Sequence, residues 1–472
     1  MGEPSKKDGL KIAVSPQALL PIFCATFLIG CQFQTYQAKP IDPQKISVAF
    51  EQRSTLDQKF QAFLITQGYA ASDLPLKSWD LKALTLCAHY FHPSLNVARA
   101  QWKAAQMAEK SAAEKPFPTI NTNFSRSNQA NEDIHPFAYQ FSIDIPIETH
   151  NKRQIQIEGF SHLSEIAKLE IAQTAWQLRH HIASTLNEMR WHAAQQRLFA
   201  NEVALKESIL AMLEKRMQHG LASSVEINQA KLQLHASQMA LENLTSQKIA
   251  TQSQLAQHLG LPLVIVSQMT IQLESPEKET TVETIVETRD IQKTALLNRL
   301  DARIALAQYA LAENKLKLEI AKQYPDLTIS PGLAYEFGDT IWSLGFSGLM
   351  NLLQKNKMAI AEAEQLREVE VAKFEALQAS IIGEANLANA QFLEQQTLLA
   401  QKNRQRALQQ QNFAKINAQF DAGEIDRLTL NYAKLALENM QKDIALTEYQ
   451  LKKANILLEN TLQIPLGDIT AN

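Results

Sequence analysis

Between Pro146 and Pro262, and again between Pro331 and Pro465, this chain contains no proline. A proline inside a helix removes a hydrogen bond and clashes with the preceding turn, so stretches this long without one are mostly helical. From Phe160 to His219 there are 60 residues with neither Gly nor Pro, and Leu349 to Ala422 is interrupted only by Gly383. The first of these runs, as one helix at ~1.5 Å per residue, spans about 90 Å. Such lengths predict a coiled coil or a helical tube rather than a compact domain. Each run stops at a glycine, Gly220 or Gly423, and a second helical pattern follows at once. That arrangement is a helical hairpin in which the glycine supplies a left-handed cap.

The two hairpins are copies of one another. Gly220 to Leu263 aligns on Gly423 to Leu466 at a constant offset of 203, with 12 of 44 positions identical, among them Asn228/Asn431, Lys231/Lys434 and Pro262/Pro465. Ala100-Gln101-Trp102 aligns on Ala307-Gln308-Tyr309, and Pro118 on Pro325, at offset 207. A period near 200 residues is far too long for a solenoid repeat and marks a tandem duplication of a domain-sized unit. The returning helices carry stripes at coiled-coil spacing: Ile227, Ala230, Leu234, Ser237, Leu241 and Leu244 in one, and Leu430, Ala433, Leu437, Met440 and Ile444 in the other. Leu232 and Leu435 lie off the stripes, so each helix has apolar residues on two sides. That suits the wall of a cylinder, although a plain antiparallel coiled coil satisfies the hairpins alone.

Four segments break the helical period and alternate every second residue. Phe137, Tyr139, Phe141, Ile143 and Ile145 alternate with small or polar residues, as do Leu327, Ile329, Pro331, Leu333, Tyr335 and Phe337. Trp342, Leu344 and Phe346 do the same, and Thr119 to Ser127 does so more weakly. Large apolar and aromatic residues at period two are the signature of transmembrane β-strands, and a half-buried soluble sheet alternates in the same way. In a membrane, four strands cannot close a barrel and an open edge cannot face lipid. The membrane reading therefore requires oligomerisation. The loops Asn128 to His135 and Gly338 to Thr340 would then face outside the cell.

The N-terminus carries Lys6, Lys7 and Lys11, then an apolar run from Ala18 to Gly30. That run is too short to span a bilayer and reads as a secretory signal. It ends in Leu28-Ile29-Gly30-Cys31, similar to a bacterial lipobox with Cys31 as the lipidation site; Gln32 follows, which suits outer-membrane sorting. With Cys24 and Cys31 set aside, the third cysteine, Cys87, stands alone in an apolar run and reads as a buried thiol. A net charge of -3 and the absence of Lys/Arg-rich runs give no support to nucleic-acid binding. No enzyme constellation and no cofactor motif stands out. The 11 histidines form no HExxH pattern; His180-His181 reads as a solvated pair, and His89 and His92 share an i, i+3 face without Cys87. No metal site is expected.

Helix, strand pair, long helix, glycine hairpin and return helix, all repeated, resemble the TolC family of outer-membrane efflux proteins over about Leu84 to Leu466. Ile145-Pro146-Ile147-Glu148-Thr149-His150-Asn151-Lys152-Arg153, Tyr335-Glu336-Phe337 and Ala359-Ile360-Ala361-Glu362-Ala363 are similar to its CzcC-like heavy-metal cation branch. Asn151 stands where that branch has Gly; Leu349 and Asn351, and Leu300, stand where the family has prolines. The resemblance implies a mainly α fold with a small β part. A homotrimer would pool four transmembrane strands per chain into a twelve-stranded barrel above an α-helical tunnel. Its divisions would be a signal peptide (1–30), an N-terminal anchor and equatorial segment (31–83), a first repeat (84–262), a linker (263–290), a second repeat (291–466) and a tail (467–472).

It further implies a passive duct, anchored in the outer membrane, whose tips at Gly220, Leu221, Ser223, Gly423 and Glu424 dock a periplasmic adaptor that leads to an inner-membrane pump. By threefold symmetry Asp421, Asp426 and Arg427 would gate or select at the periplasmic entrance. Gln140, Ser142, Asp144, Thr328, Ser330 and Glu336 would line the pore. The competing expectation is a periplasmic coiled-coil lipoprotein with a scaffold or adaptor role.

Overall fold

The computed structural model describes residues 34–128, 136–273, 288–336, 338–348 and 355–465. The expected signal segment with Cys31, the loop 129–135, Phe337, half of the linker (274–287), Leu349, Asn351 and the tail lie outside the described residues. Contacts divide the described residues into two units, with the boundary after Gln52. In the first unit, α1 (Pro43–Glu51) starts at Asp42, whose carboxylate accepts the Gln44 and Lys45 N–H groups at 3.0 and 3.2 Å.

The second unit begins with α2 (Gln58–Thr66), α3 (Leu81–Phe91) and α4 (Pro93–Ala112). Strands β1 (Thr119–Arg126) and β2 (Phe137–Ile147) lead into α5 (Lys152–Gln218) and α6 (Ser224–Leu259), and the short α7 (Leu263–Gln268) follows. The order then recurs. Helices α8 (Thr288–Asn298) and α9 (Leu300–Ala321) precede β3 (Leu327–Glu336) and β4 (Asp339–Gly348), and then α10 (Lys357–Asp421) and α11 (Arg427–Leu462). The long helices have 67 and 65 residues and both return helices have 36.

The local causes of each turn recur at the same offset. Gly220 and Gly423 have φ of +70° and +75°, a region open to glycine at little cost. The Leu221 N–H donates to the Arg216 carbonyl at 2.8 Å, and the Glu424 N–H to the Gln419 carbonyl at 2.9 Å, closing both helices in the same way. The return helices then start at Ser223, in a capping box with Glu226, and at Asp426, which accepts the Thr429 N–H at 2.8 Å. At the opposite end, His150-Asn151 and Lys355-Asn356 turn into the long helices with φ near +50°. A left-handed turn there accounts for Asn151 where glycine is usual, because Asn tolerates this region better than most residues.

Three cores fix the helices. Phe60, Leu64, Trp79, Leu84, Cys87 and Phe91 pack on Ile182 and Leu186 of α5, on Leu255 and Leu259 of α6, and on Val266 of α7. A parallel bridge between Trp79 and Ile271 ties residues after α7 into this belt. Cys87 is fully buried within it, and burial pushes its thiol pKa up, as expected for an inert cysteine. A second core joins α8, α10 and α11 and repeats the first in part: Leu458 and Leu462 are the copies of Leu255 and Leu259. A third, near the tips, holds Ile209, Leu213, Ile227 and Leu428. The predicted stripe residues Ile227, Leu234, Ser237 and Leu244 are buried, as are Leu430, Ala433 and Ile444. Among the described residues no helix is long and apolar enough to cross a membrane.

Candidate functional site

The four strands form one antiparallel sheet in the order β1-β2-β3-β4. Residues directly opposite across strands lie on the same face, so the register decides what each face presents. Phe124 pairs with Tyr139 and Tyr139 with Tyr335; Phe141 pairs with Leu333 and Leu333 with Trp342; Ile145 pairs with Ile329 and Ile329 with Phe346. One face is therefore mostly apolar, with Thr122, Arg126 and Thr340 as its polar members. It is uncovered, with Trp342, Phe346 and Phe124 at 81%, 72% and 63% exposure. A soluble half-buried sheet would cover this face against a core, and here the apolar side is the open one.

The opposite face is small and polar. Ser142 pairs with Gly332 and Gly332 with Ser343, Ser330 pairs with Gly345, and Thr328 with Ser347. Side-chain room is scarce there: a Cβ on Gly332 would lie 2.7 Å from the Ser343 hydroxyl and 3.3 Å from the Phe141 carbonyl. All six expected lining residues, Gln140, Ser142, Asp144, Thr328, Ser330 and Glu336, fall on this face by register. Asp144 accepts a hydrogen bond from Asn121 Nδ2 at 2.8 Å. Pro331 stands opposite Ile143, where β2–β3 pairing lapses before resuming at Ile145 and Ile329, since proline brings no N–H. Strand β4 starts at Asp339, so the turn after β3 is shorter than the expected loop Gly338 to Thr340.

Where the sheet meets the helices, Lys152 is buried. Its Nζ lies 2.8 Å from an Asp326 carboxylate oxygen and also donates to the Tyr324 carbonyl. The Thr149 N–H donates to Asp326 at 2.9 Å, and the His150 ring stacks on Tyr324. These bonds join the exit of β2 to the start of β3.

At the tips, Gly220, Leu221, Ser223, Gly423 and Glu424 are exposed or half-buried, and Leu221 projects with 74% exposure. Asp421 is exposed and accepts a hydrogen bond from Asn417 at 3.0 Å. Asp426 is engaged twice: it caps α11 through Thr429 and forms an ion pair with Arg216, near the end of α5. Its cationic partner is thus on the other hairpin, and the adjacent Arg427 is exposed.

Arg216–Asp426 is the last rung of a polar ladder between α5 and α11. The other rungs are Trp176 Nε1 to Asn460 at 3.1 Å, Arg179 to Glu459 at 3.3 Å, Asn187 to the Tyr449 carbonyl at 3.2 Å, and Asn431 to Ser208 at 3.0 Å. Midway stands Glu202, 5% exposed. It accepts from Lys206 at 2.7 Å, from Ser237 at 2.9 Å, and from Lys442 of α11. Burial alone would raise the Glu202 carboxyl, but hydrogen bonds from Lys206, Lys442 and Ser237 outweigh it and hold it below the ordinary carboxylate range. Sequence reading missed this cluster. The Glu202–Lys206 pair shows at i, i+4, but the Lys442 partner has no local signal.

The histidines are placed differently from the sequence expectation. His92 is the cap between α3 and α4 with extended backbone, so it shares no helical face with His89. His180 is half-buried, and the exposed His181 stacks on His258 of α6 with ring centroids 5.0 Å apart. Among the described residues no group of His, Cys, Asp and Glu could hold a metal ion.

Residues 90–261 match the family model "Outer membrane efflux protein". No curated relative matches the chain. Among solved structures, the outer-membrane channel OprN is similar at TM-score 0.66 and 16% identity, covering 92% of this chain and 99% of its own. The outer membrane protein VceC from Vibrio cholerae is similar at TM-score 0.65 and 17% identity, covering 81% and 95%. CusC, described for its transmembrane channel formation, is similar at TM-score 0.64 and 15% identity, covering 81% and 91%. A third of the chain is thus similar in sequence to outer membrane efflux proteins, and the chain as a whole has the fold of outer-membrane channels.

Proposed function

We propose that this chain is the outer-membrane duct of a tripartite efflux system, working as a homotrimer. The observation that carries the reading is the sheet: an uncovered apolar face, a small polar face, and two outer edges without a strand partner among the described residues. Backbone groups on an open edge cannot be left in lipid. Since β1 and β4 run antiparallel to each other, β4 of one copy can pair with β1 of the next. Three copies then close a twelve-stranded barrel with the apolar face outward and Gln140, Ser142, Asp144, Thr328, Ser330 and Glu336 lining water. Passage through such a conduit calls for no catalytic residue and no cofactor.

In this reading the tips at Gly220, Leu221, Ser223, Gly423 and Glu424 receive a periplasmic adaptor, which links the duct to an inner-membrane pump. The entrance is governed at Asp421, Asp426 and Arg427, with Arg216 as the cation that Asp426 releases on opening. Lipidation at Cys31 would anchor the chain in the outer membrane beside its barrel. Heavy-metal cations are the proposed cargo, on the motifs at Ile145 to Arg153 and Ala359 to Ala363 and on the acidic second tip.

The test is fractionation of cells expressing the full chain, followed by gel migration before and after heating. Outer-membrane localisation with a heat-dissociable trimer is expected. A monomer released by delipidation alone would overturn the channel and support the scaffold reading. In planar bilayers, Asp426→Asn is expected to change conductance or its cation sensitivity; no change in either removes Asp426 from the gate.

A further inference from the structure

Between α3 and α4 the chain turns at a single residue, His92, and its ring is part of the turn. Nδ1 accepts the Ser94 N–H at 3.2 Å, as an N-cap, and lies 2.7 Å from the Ser94 hydroxyl. Only an unprotonated Nδ1 can accept that bond. A cation at this position would also face the positive end of α4. The corner is tightly set. A Cβ on Gly260, at the end of α6, would lie 2.9 Å from His92 Cα and 2.9 Å from the Phe91 carbonyl. Arg53 holds the same place, donating to the Phe91 carbonyl at 3.0 Å and to the Gly260 carbonyl at 2.7 Å.

Two further rings close on this corner, from the long helix α5 and the return helix α6. His181 of α5 and His258 of α6 stack at 5.0 Å with planes 10° apart, and the His180 ring is 5.7 Å from His181. The fixed charges nearest these rings are positive: Arg53 beside His92 and Arg179 beside His180. On the far side of α3, His89 has Arg99 beside it. Nearby carboxylates are held by other groups: Asp57 caps α2 by accepting the Lys59 N–H at 2.9 Å, Asp80 caps α3 by accepting the Ala83 N–H at 2.7 Å, and Glu459 pairs with Arg179.

We infer that His92 and His258, the latter stacked on His181, form an acid-sensitive clasp, whose uncharged rings hold the α3–α4 corner against α5 and α6 and whose protonation releases it. A proton on His92 Nδ1 removes the α4 cap and places a second cation beside Arg53. A proton on His258 puts a cation in the half-buried stack against the His181 ring. Burial, followed by these neighbours, pushes His92 and His258 below the ordinary histidine value. The folded clasp then binds fewer protons than the unfolded chain. Its stability is complete above about pH 6.5 and is lost as pH falls below that. Release would loosen the belt that joins residues 53–92 to the two long helices, and the clasp rests on the fold alone, not on the channel reading.

The test is amide exchange of the full-length protein in detergent at pH 7.5 and 5.5, corrected for intrinsic rates, over residues 58–64 and 81–98. Wild-type protection is expected to fall by up to about tenfold for each ring, the most that one pH unit of linkage to a single ring supplies. In His92→Asn/His258→Gln, where Asn still caps α4, the loss should be under about twofold. Unchanged wild-type protection, or an equal loss in the variant, would overturn the clasp. A check that needs no variant is the ring titration of histidine-labelled wild type by NMR. His92 and His258 titrating below free imidazole supports the clasp, and either titrating at or above it refutes it.

Discussion

Glu202 is where one substitution should tell most about how the two hairpins are held. Glu202→Gln keeps the shape, and its carbonyl oxygen still accepts from Ser237, but Lys206 and Lys442 are left with no counter-charge. Removing one partner of a fully buried pair costs about 3–5 kcal/mol. The lysine side chains are 15% and 27% exposed, so water can relieve part of the excess charge. We therefore expect about 2–3 kcal/mol, or local opening about 30- to 160-fold more frequent. The assay is native-state amide exchange on α5 and α11 around residues 202 and 442. Lys402→Met is the control: its pair with Asp443 spans 3.0 Å with 27% and 54% exposure, and its loss should cost under about 1 kcal/mol. The depressed Glu202 carboxyl also fixes a pH window. Its stabilisation is present above about pH 4.3 and is lost as pH falls through the lower folded value, well below the range assigned to the histidine clasp. If Glu202→Gln opens α5 and α11 no more than Lys402→Met does, the cluster does not hold the hairpins together.

Two further outcomes follow from the tips and the sheet. Gly220→Ala and Gly423→Ala meet no atom within 4 Å, so the cost is backbone strain alone, about 1–2 kcal/mol each, read as faster proteolysis at the tip with core exchange unchanged. Phe141→Lys, on the apolar face, should cost about 2–4 kcal/mol in a bilayer and reduce the heat-dissociable oligomer, while Gln140→Lys on the other face should leave it nearly unchanged; equal effects would remove the facing assigned to the sheet.

The parts of the fold written in short periods were legible. Apolar alternation gave four strands because a strand turns every second residue to the same face, and 3-4 spacing gave the stripes of α6 and α11 because those residues meet α5 and α10 directly. Glycine at both hairpin ends was legible because few other residues adopt its φ cheaply. What escaped is lateral. Glu202 meets Lys442, and Arg216 meets Asp426, only because α5 and α11 lie side by side in one register, and no local period encodes the register of separate helices. His92 was misread for a different reason. Pro93 opens α4 and biases the residue before it away from helical backbone, a signal that outweighs the i, i+3 spacing to His89.

The proposed duplication makes the polar ladder more informative than its bonds alone. At the offset of 203, Arg216 and Asp426 correspond to Gln419 and Ser223, and Glu202, Lys206 and Lys442 to Gln405, Gln409 and Met239. The copy of the α5–α11 seam would therefore lie between α10 and α6, and it has lost every one of these charges. Its apolar residues are uncovered in one chain: Val225 and Leu232 are each 72% exposed, whereas their copies Leu428 and Leu435 pack into the tip core. In the proposed trimer the α10–α6 seam falls between chains. Burying each such side chain there contributes about 1.5–3 kcal/mol, insensitive to salt. The α5–α11 seam within each chain depends on ion pairs that salt screens and acid discharges. The two seams of an otherwise sixfold-like tube then differ in kind. Assembly is held by the apolar one, and any opening of the entrance is expected at the charged one, where Asp426 leaves Arg216.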